Sequence, residues 1–244
     1  IITEDLRQLY ESAEQALKNG QLQSWQAKSS EEVLGAKGTS YRQWCGLIEG
    51  YKVRKEDDRG YWEEVASGLS GDQAVEQLVE SESTLNHAEF ALDEVLTQQL
   101  LTLSNQAYHS EINDLLLSAF GLALANLSGS AANNIVLESH GREEIDPEQD
   151  ITRTVGWFTS MYPVCLAVNS QDIGATIKSI KESLRQIPDK GLGFGALYGY
   201  LAHKLPRVSF NYLGQFDQSK GSGNNDWGVT AEASGIPLHP ANPD

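Results

Sequence analysis

Only two cysteines and one methionine occur in 244 residues. Cys45 and Cys165 form no Cys-x-x-Cys pair, and neither lies near a spaced pair of histidines, so no metal site is expected. So few thiols fit a reducing, cytoplasmic setting. Cys165 sits in the apolar run 164–168 and reads as a core residue. Basic residues are scarce as well. Eighteen Lys and Arg face 34 Asp and Glu, a formal net charge of -16. A surface that acidic repels phosphate backbones, which excludes nucleic acid as an expected partner and serves solubility. No apolar run reaches the roughly 18 residues that would span a bilayer. The opening Ile1-Ile2-Thr3-Glu4-Asp5 lacks the basic start of a signal peptide, so no membrane partner is expected either. There is no initiator Met, and the sequence is expected to begin inside a longer polypeptide.

What is present is ordinary for a globular chain: 40% apolar and 21% charged residues, enough to bury a core. Residues 2–18 place Ile2, Leu6, Leu9, Ala13 and Ala16 on one helical face, and Asn19-Gly20 ends the pattern. Residues 20–40 are polar and read as a loop. Residues 40–67 suggest one or two amphipathic helices, and 69–84 a polar connection. His87 to Leu92 alternates like a strand. A helix is expected from Asp93, its plausible N-cap, to about Tyr108, and a more apolar, buried one from Ser110 to about Leu127. Residues 134–137 read as a short buried strand and 155–168 as a longer one, broken at Pro163. A helix follows from Ile173 to Pro188, a short one over 195–203, and a third buried strand over 208–212. The tail from Gln218 is rich in Gly, Ser, Asn and Pro and reads as a mobile loop or frayed end. Strands alternating with helices point to an α/β or α+β fold with a mixed sheet.

Chemistry concentrates after the strand 134–137. Glu138, Glu143, Glu144, Asp146, Glu148 and Asp150 lie together with His140 and Arg142. The end of a buried strand is a favoured place for catalytic groups. Burial at Glu138 would raise its pKa toward a useful acid/base range, and Arg142 could oppose that by pairing. On spacing alone, a solvated charged loop is the favoured alternative. His140 without a partner nucleophile is weak evidence. Asn211 and Tyr212 need hydrogen-bond partners if buried, and either line a site or satisfy the core. Gly191-Leu192-Gly193-Phe194-Gly195 lacks the context of a phosphate loop and reads as a tight turn into a helix.

Five segments in order then resemble the core motifs of epimerization domains of nonribosomal peptide synthetases, members of the condensation-domain superfamily. They are NDLLLSAFG from Asn113, ESHGREE from Glu138, RTVGWFTSMYP from Arg153, PDKGLGFGALYGYL from Pro188 and FNYLGQFD from Phe210. Ser139 stands where the family has Gly. The match runs over roughly residues 1–217. The resemblance implies two chloramphenicol-acetyltransferase-like lobes with the active site between them. On it, residues 1–84 would be a bridging helix and helical connection, 85–217 the C-terminal lobe, and 218–244 a flexible or truncated tail. It implies inversion, from L toward D, of the α-carbon of an aminoacyl or peptidyl thioester. No cofactor is bound directly; a peptidyl carrier protein brings the substrate on its 4'-phosphopantetheine arm. Other implied partners are the N-terminal lobe and further synthetase modules.

By the same resemblance Glu138 is one acid/base. Tyr212 and Asn211 position the substrate or stabilise the enolate, and His140 and Arg142 organise the Glu138 loop. The family's His-His-x-x-x-Asp-Gly motif, which supplies a second acid/base, is absent from these residues, so this chain alone is expected to be inactive. Two competing readings remain: a condensation domain that forms peptide bonds, and a non-catalytic lobe that docks carrier proteins.

Overall fold

The computed structural model describes residues 1–69, 87–200 and 205–214. Its contacts divide into two units, one of residues 36–212 and a smaller one whose described part is residues 2–35 with Leu213 and Gly214. The division falls near residue 35, and the helices of 41–69 share a core with the strands.

In the smaller unit, helix α1 (Ile2–Lys18) is followed by two short helices, α2 (Leu22–Gln26) and α3 (Ser30–Leu34), where a loop was expected. Side chains tie them together. Trp25 Nε1 donates to Ser12 Oγ at 2.8 Å, and Gln8 Nε2 donates to the Val33 carbonyl at 2.7 Å. Ser29 and Glu32 close a capping box that starts α3.

The larger unit opens with α4 (Tyr41–Arg54), also started by a capping box, here Ser40 with Gln43. Then comes α5 (Arg59–Leu69). Residues 87–92 form no regular element and are exposed, Phe90 at 88%. An alternating pattern makes a strand only where a neighbouring strand accepts its backbone groups, and among the described residues none does so here. Asp93 does cap α6 (Glu94–Gln99), through Leu96 N–H at 2.8 Å. A π-turn and α7 (Asn105–Tyr108) complete that segment. Helix α8 (Ile112–Ser128) begins two residues later than expected. Glu111 N–H donates to Asp114 Oδ2, so Ser110 is not the cap.

The sheet has the order β2-β1-β3. Strand β1 (Ala132–Ser139) runs antiparallel to β2 (Ser160–Ala167) in a register from Ala132 opposite Ala167 to Ser139 opposite Ser160. It runs parallel to β3 (Ser209–Phe210), with Val136 beside Ser209 and Leu137 beside Phe210. The sheet is therefore mixed and flanked by helices, an α/β arrangement. Strand β2 starts at Ser160, not 155, and Pro163 lies inside it without breaking it, opposite Val136. Proline is tolerated there because β2 pairs on one side only among the described residues. Cys165 is exposed. Its neighbours Val164 and Leu166 are buried, and an apolar run does not reveal which face each residue takes.

Helix α9 (Ile173–Arg185) is capped by Asp172 through Ala175 N–H at 2.9 Å. A 3₁₀ turn, Pro188–Gly191, leads into α10 (Leu192–Leu197). That helix ends before the expected stretch to 203, of which 201–203 lie outside the described residues. So do residues 70–84 of the polar connection and the tail from Gln218. One core joins Trp44, Tyr51 and Trp62 of the helices to Ile135, Leu137, Tyr162, Leu166 and Phe194. No helix among the described residues is long and apolar enough to cross a membrane.

Candidate active site

Strand β1 delivers Glu138 to the rim of this core. Ile135, Val136 and Leu137 before it are buried, and Glu138 itself is half-buried. The parallel register carries Leu137 alongside Phe210, so one step further Glu138 and Asn211 stand abreast. Neighbouring residues of paired strands project to the same face. Accordingly Asn211 Nδ2 donates to Glu138 Oε2 at 2.6 Å. Two residues separated by 73 positions, each singled out in the sequence, are thus brought into contact. Tyr212 follows one residue on and is half-buried. The expected strand over 208–212 is only two residues of ladder, so Asn211 and Tyr212 lie beyond it.

The loop after β1 is pinned rather than loose. Gly141 adopts φ +66°, and a Cβ there would fall 1.7 Å from the Phe158 carbonyl oxygen. Only glycine lets the loop press onto the residues entering β2. Arg142 spends its guanidinium on this loop. Nη1 donates to the Ile151 carbonyl and Nη2 to the Thr154 carbonyl, both at 2.8 Å. Its Cζ lies 4.0 Å over the Phe158 ring. These bonds go to backbone carbonyls and not to the Glu138 carboxylate, so the guanidinium does not make the suggested Arg142–Glu138 pairing. His140 is exposed, and its Nδ1 accepts the Arg142 backbone N–H at 2.9 Å. Its Nε2 lies 3.5 Å from Glu143 Oε1.

The far side of the loop is tied to α4. Thr39 N–H donates to the Asp150 carbonyl at 2.9 Å, Thr154 Oγ1 donates to the Thr39 carbonyl, and the Tyr41 hydroxyl donates to the Trp157 carbonyl. Trp157 itself is exposed. Thr39, Tyr41 and Thr154 were not singled out from the sequence. Isolated hydroxyls that bond backbone carbonyls 115 or 116 positions away leave no local pattern to read. Burial pushes the Tyr162 phenol up to about 12, with the Glu143 charge adding to the effect. Among the described residues no cluster of His, Cys, Asp and Glu has the makings of a metal site.

A family model described as a condensation domain matches residues 1–235. N-(5-amino-5-carboxypentanoyl)-L-cysteinyl-D-valine synthase of Amycolatopsis lactamdurans is 39% identical over 203 residues, which cover 83% of this chain and 5% of that protein. Surfactin synthase subunit 1 of Bacillus subtilis (strain 168) is 35% identical over 238 residues, 91% of this chain and 6% of that protein. The chain thus spans a small fraction of the curated relatives it matches. Among solved structures, the epimerization domain from the third module of tyrocidine synthetase B is similar, with 35% identity and a TM-score of 0.59. The match covers 80% of this chain and 46% of that one. The first condensation domain of the CDA synthetase shares the fold at 17% identity, with a TM-score of 0.54 over 80% of this chain and 42% of that one. This chain belongs to the condensation-domain family of nonribosomal peptide synthetases.

Proposed function

We propose that the chain forms one side of an epimerization site. The substrate is an aminoacyl or peptidyl thioester presented on the phosphopantetheine arm of a carrier protein, and its α-carbon is inverted from L toward D. The observation that carries this reading is the contact between Glu138 and Asn211, which joins the ESHGREE and FNYLGQFD segments at one spot. The 35% identity to a solved epimerization domain supports it.

The thioester acidifies the Cα–H because the carbanion delocalises into the carbonyl. Glu138 removes that proton, becoming a carboxylic acid, while the electron pair moves onto the thioester oxygen. A second acid then returns a proton to the opposite face of Cα. Asn211 occupies Glu138 Oε2, which leaves Oε1 as the oxygen that takes the proton. In this reading Tyr212 donates its hydroxyl to the developing enolate oxygen. Arg142 and His140 hold the loop. The carrier protein and its neighbouring modules supply the substrate.

The test is solvent-deuterium incorporation at Cα of a carrier-bound aminoacyl thioester, on the full domain that contains this sequence. Glu138→Gln should lower the rate by about 10²–10⁴. Exchange at the unmodified rate refutes the role of Glu138. A single loaded carrier protein should yield D-aminoacyl thioester. Amide formation between two loaded carriers, with no exchange, would instead assign peptide-bond condensation.

A further inference from the structure

The turn before α10 carries two charged residues in succession in a left-handed conformation that side chains rarely adopt, Asp more readily than Lys. Asp189 has φ +40° and Lys190 φ +47°, and Gly191 follows at +87°. Left-handed backbone is costly for residues with a Cβ, and two in succession persist only where surroundings hold them. Each charge reaches a different element. Asp189 Oδ2 accepts the Tyr51 hydroxyl of α4 at 2.6 Å and lies 3.1 Å from Lys55 Nζ. Lys190 Nζ lies 3.3 Å from Glu143 Oε2, on the loop that follows Glu138. The Glu143 side chain is only 14% exposed, so its carboxylate is turned inward. Gly191 rests on the ring of Tyr162, where a Cβ would come within 1.9 Å. Tyr162 is the cross-strand partner of Leu137, the residue before Glu138.

We infer that this left-handed turn is a clamp that orients Glu138: Lys190 and Glu143 are positioning residues, which fix the ESHGREE loop against α4 through Asp189 and Tyr51. The inference rests on the proposed acid/base role of Glu138. The carboxylate is held at both ends of its segment, by Asn211 just past β3 and, through the loop, by Lys190. A mostly exposed lysine has little to give as a stabilising ion pair, since it is 70% exposed. A glycine at 190 would relieve the backbone strain outright. Strain kept at a lysine that, among the described residues, reaches Glu143 is the mark of a positioning device rather than of a stability element.

The experiment compares Lys190→Gly, Lys190→Met and the charge-exchanged pair Glu143→Lys with Lys190→Glu, alongside Glu138→Gln, in the full domain. Cα deuterium exchange is measured at saturating and limiting carrier-bound substrate, together with the thermal midpoint. Lys190→Gly should match or exceed the unmodified thermal midpoint yet exchange roughly tenfold more slowly at saturation, with KM unchanged. Lys190→Met should show the same loss of rate, and the charge-exchanged pair should recover part of it. Unchanged exchange in Lys190→Gly and Lys190→Met, with Glu138→Gln inactive, overturns the clamp and leaves the Glu138 assignment standing. Unchanged exchange in Glu138→Gln overturns both.

Discussion

The two sides of strand β1 are built very differently. Toward β2 it is paired over all eight residues of its length, and toward β3 over two. The β2 side is backed by aromatic packing, with Trp62 5.4 Å from Phe194 and 6.3 Å from Tyr162 between ring centroids. On the β3 side, beyond the ladder, Glu138 is met by the Asn211 side chain. A long ladder over an aromatic core carries stability. A short ladder leaves its last residues free to be placed by individual hydrogen bonds, and the candidate chemistry gathers there.

The comparison breaks most directly at the core of the broad side. Phe194 is fully buried and touches Trp62, Tyr198 and Tyr200. Phe194→Ala should lower the free energy of unfolding by about 3–5 kcal/mol, read from urea unfolding. A loss below about 1 kcal/mol would mean the aromatic layer is not what holds this side together.

Second in size is the loop seam. Gly141→Ala meets both a left-handed φ and the Phe158 carbonyl, so backbone on one side must give way. A cost of about 1–3 kcal/mol is expected, with lowered Cα exchange, because the same backbone leads back to Glu138. Full stability in this variant would show that the loop is not pressed onto β2.

How far the sequence alone reaches differs between the same two sides. Apolar periodicity located the helices around α1, α8 and α9, because a buried face repeats over several turns. Asp93 could be read as a cap because capping is a contact three residues long. Sheet faces were less readable. Cys165 looked like core because its neighbours are apolar, and only the pairing with β1 shows that it points outward. The strand expected over 87–92 has no partner among the described residues, a property no single segment carries. At the candidate site, Glu138 and Asn211 were each noticed as chemically suited, yet their contact depends on a parallel register between distant strands. The tight turn was read at Gly191 to Gly195, and nothing in the Asp189 and Lys190 side chains announces their left-handed backbone.

On the thin side, Asn211→Ala should do little to stability, about 1 kcal/mol or less, because its bond with Glu138 is exposed to water. Its effect on Cα exchange should be larger, roughly tenfold, with Glu138 free to rotate away from the substrate. Equal and large losses of stability and exchange would erase the distinction between a stabilising and a positioning side.

The smallest effect shows only at alkaline pH. The Tyr162 phenol, on β2 opposite Leu137, is pushed from its usual 10.0 up to about 12 in the folded protein, first by burial and then by the Glu143 charge. The folded state therefore holds this proton more tightly than the unfolded chain does. Its contribution to stability is complete below about pH 10 and is lost progressively as pH rises to about 12, where the unfolded phenol has already ionised. Tyr51 is shifted upward too, by burial and by its bond to Asp189, and adds a loss of the same sign. Tyr162→Phe removes one of several tyrosines whose pKa is raised in the folded state, Tyr61 and Tyr198 among them. Its unfolding free energy should fall less steeply between pH 10 and 12 than that of the unmodified protein, measured by urea unfolding across that range. Parallel pH curves for the two proteins would mean that the ring is not held neutral by the broad side of the sheet.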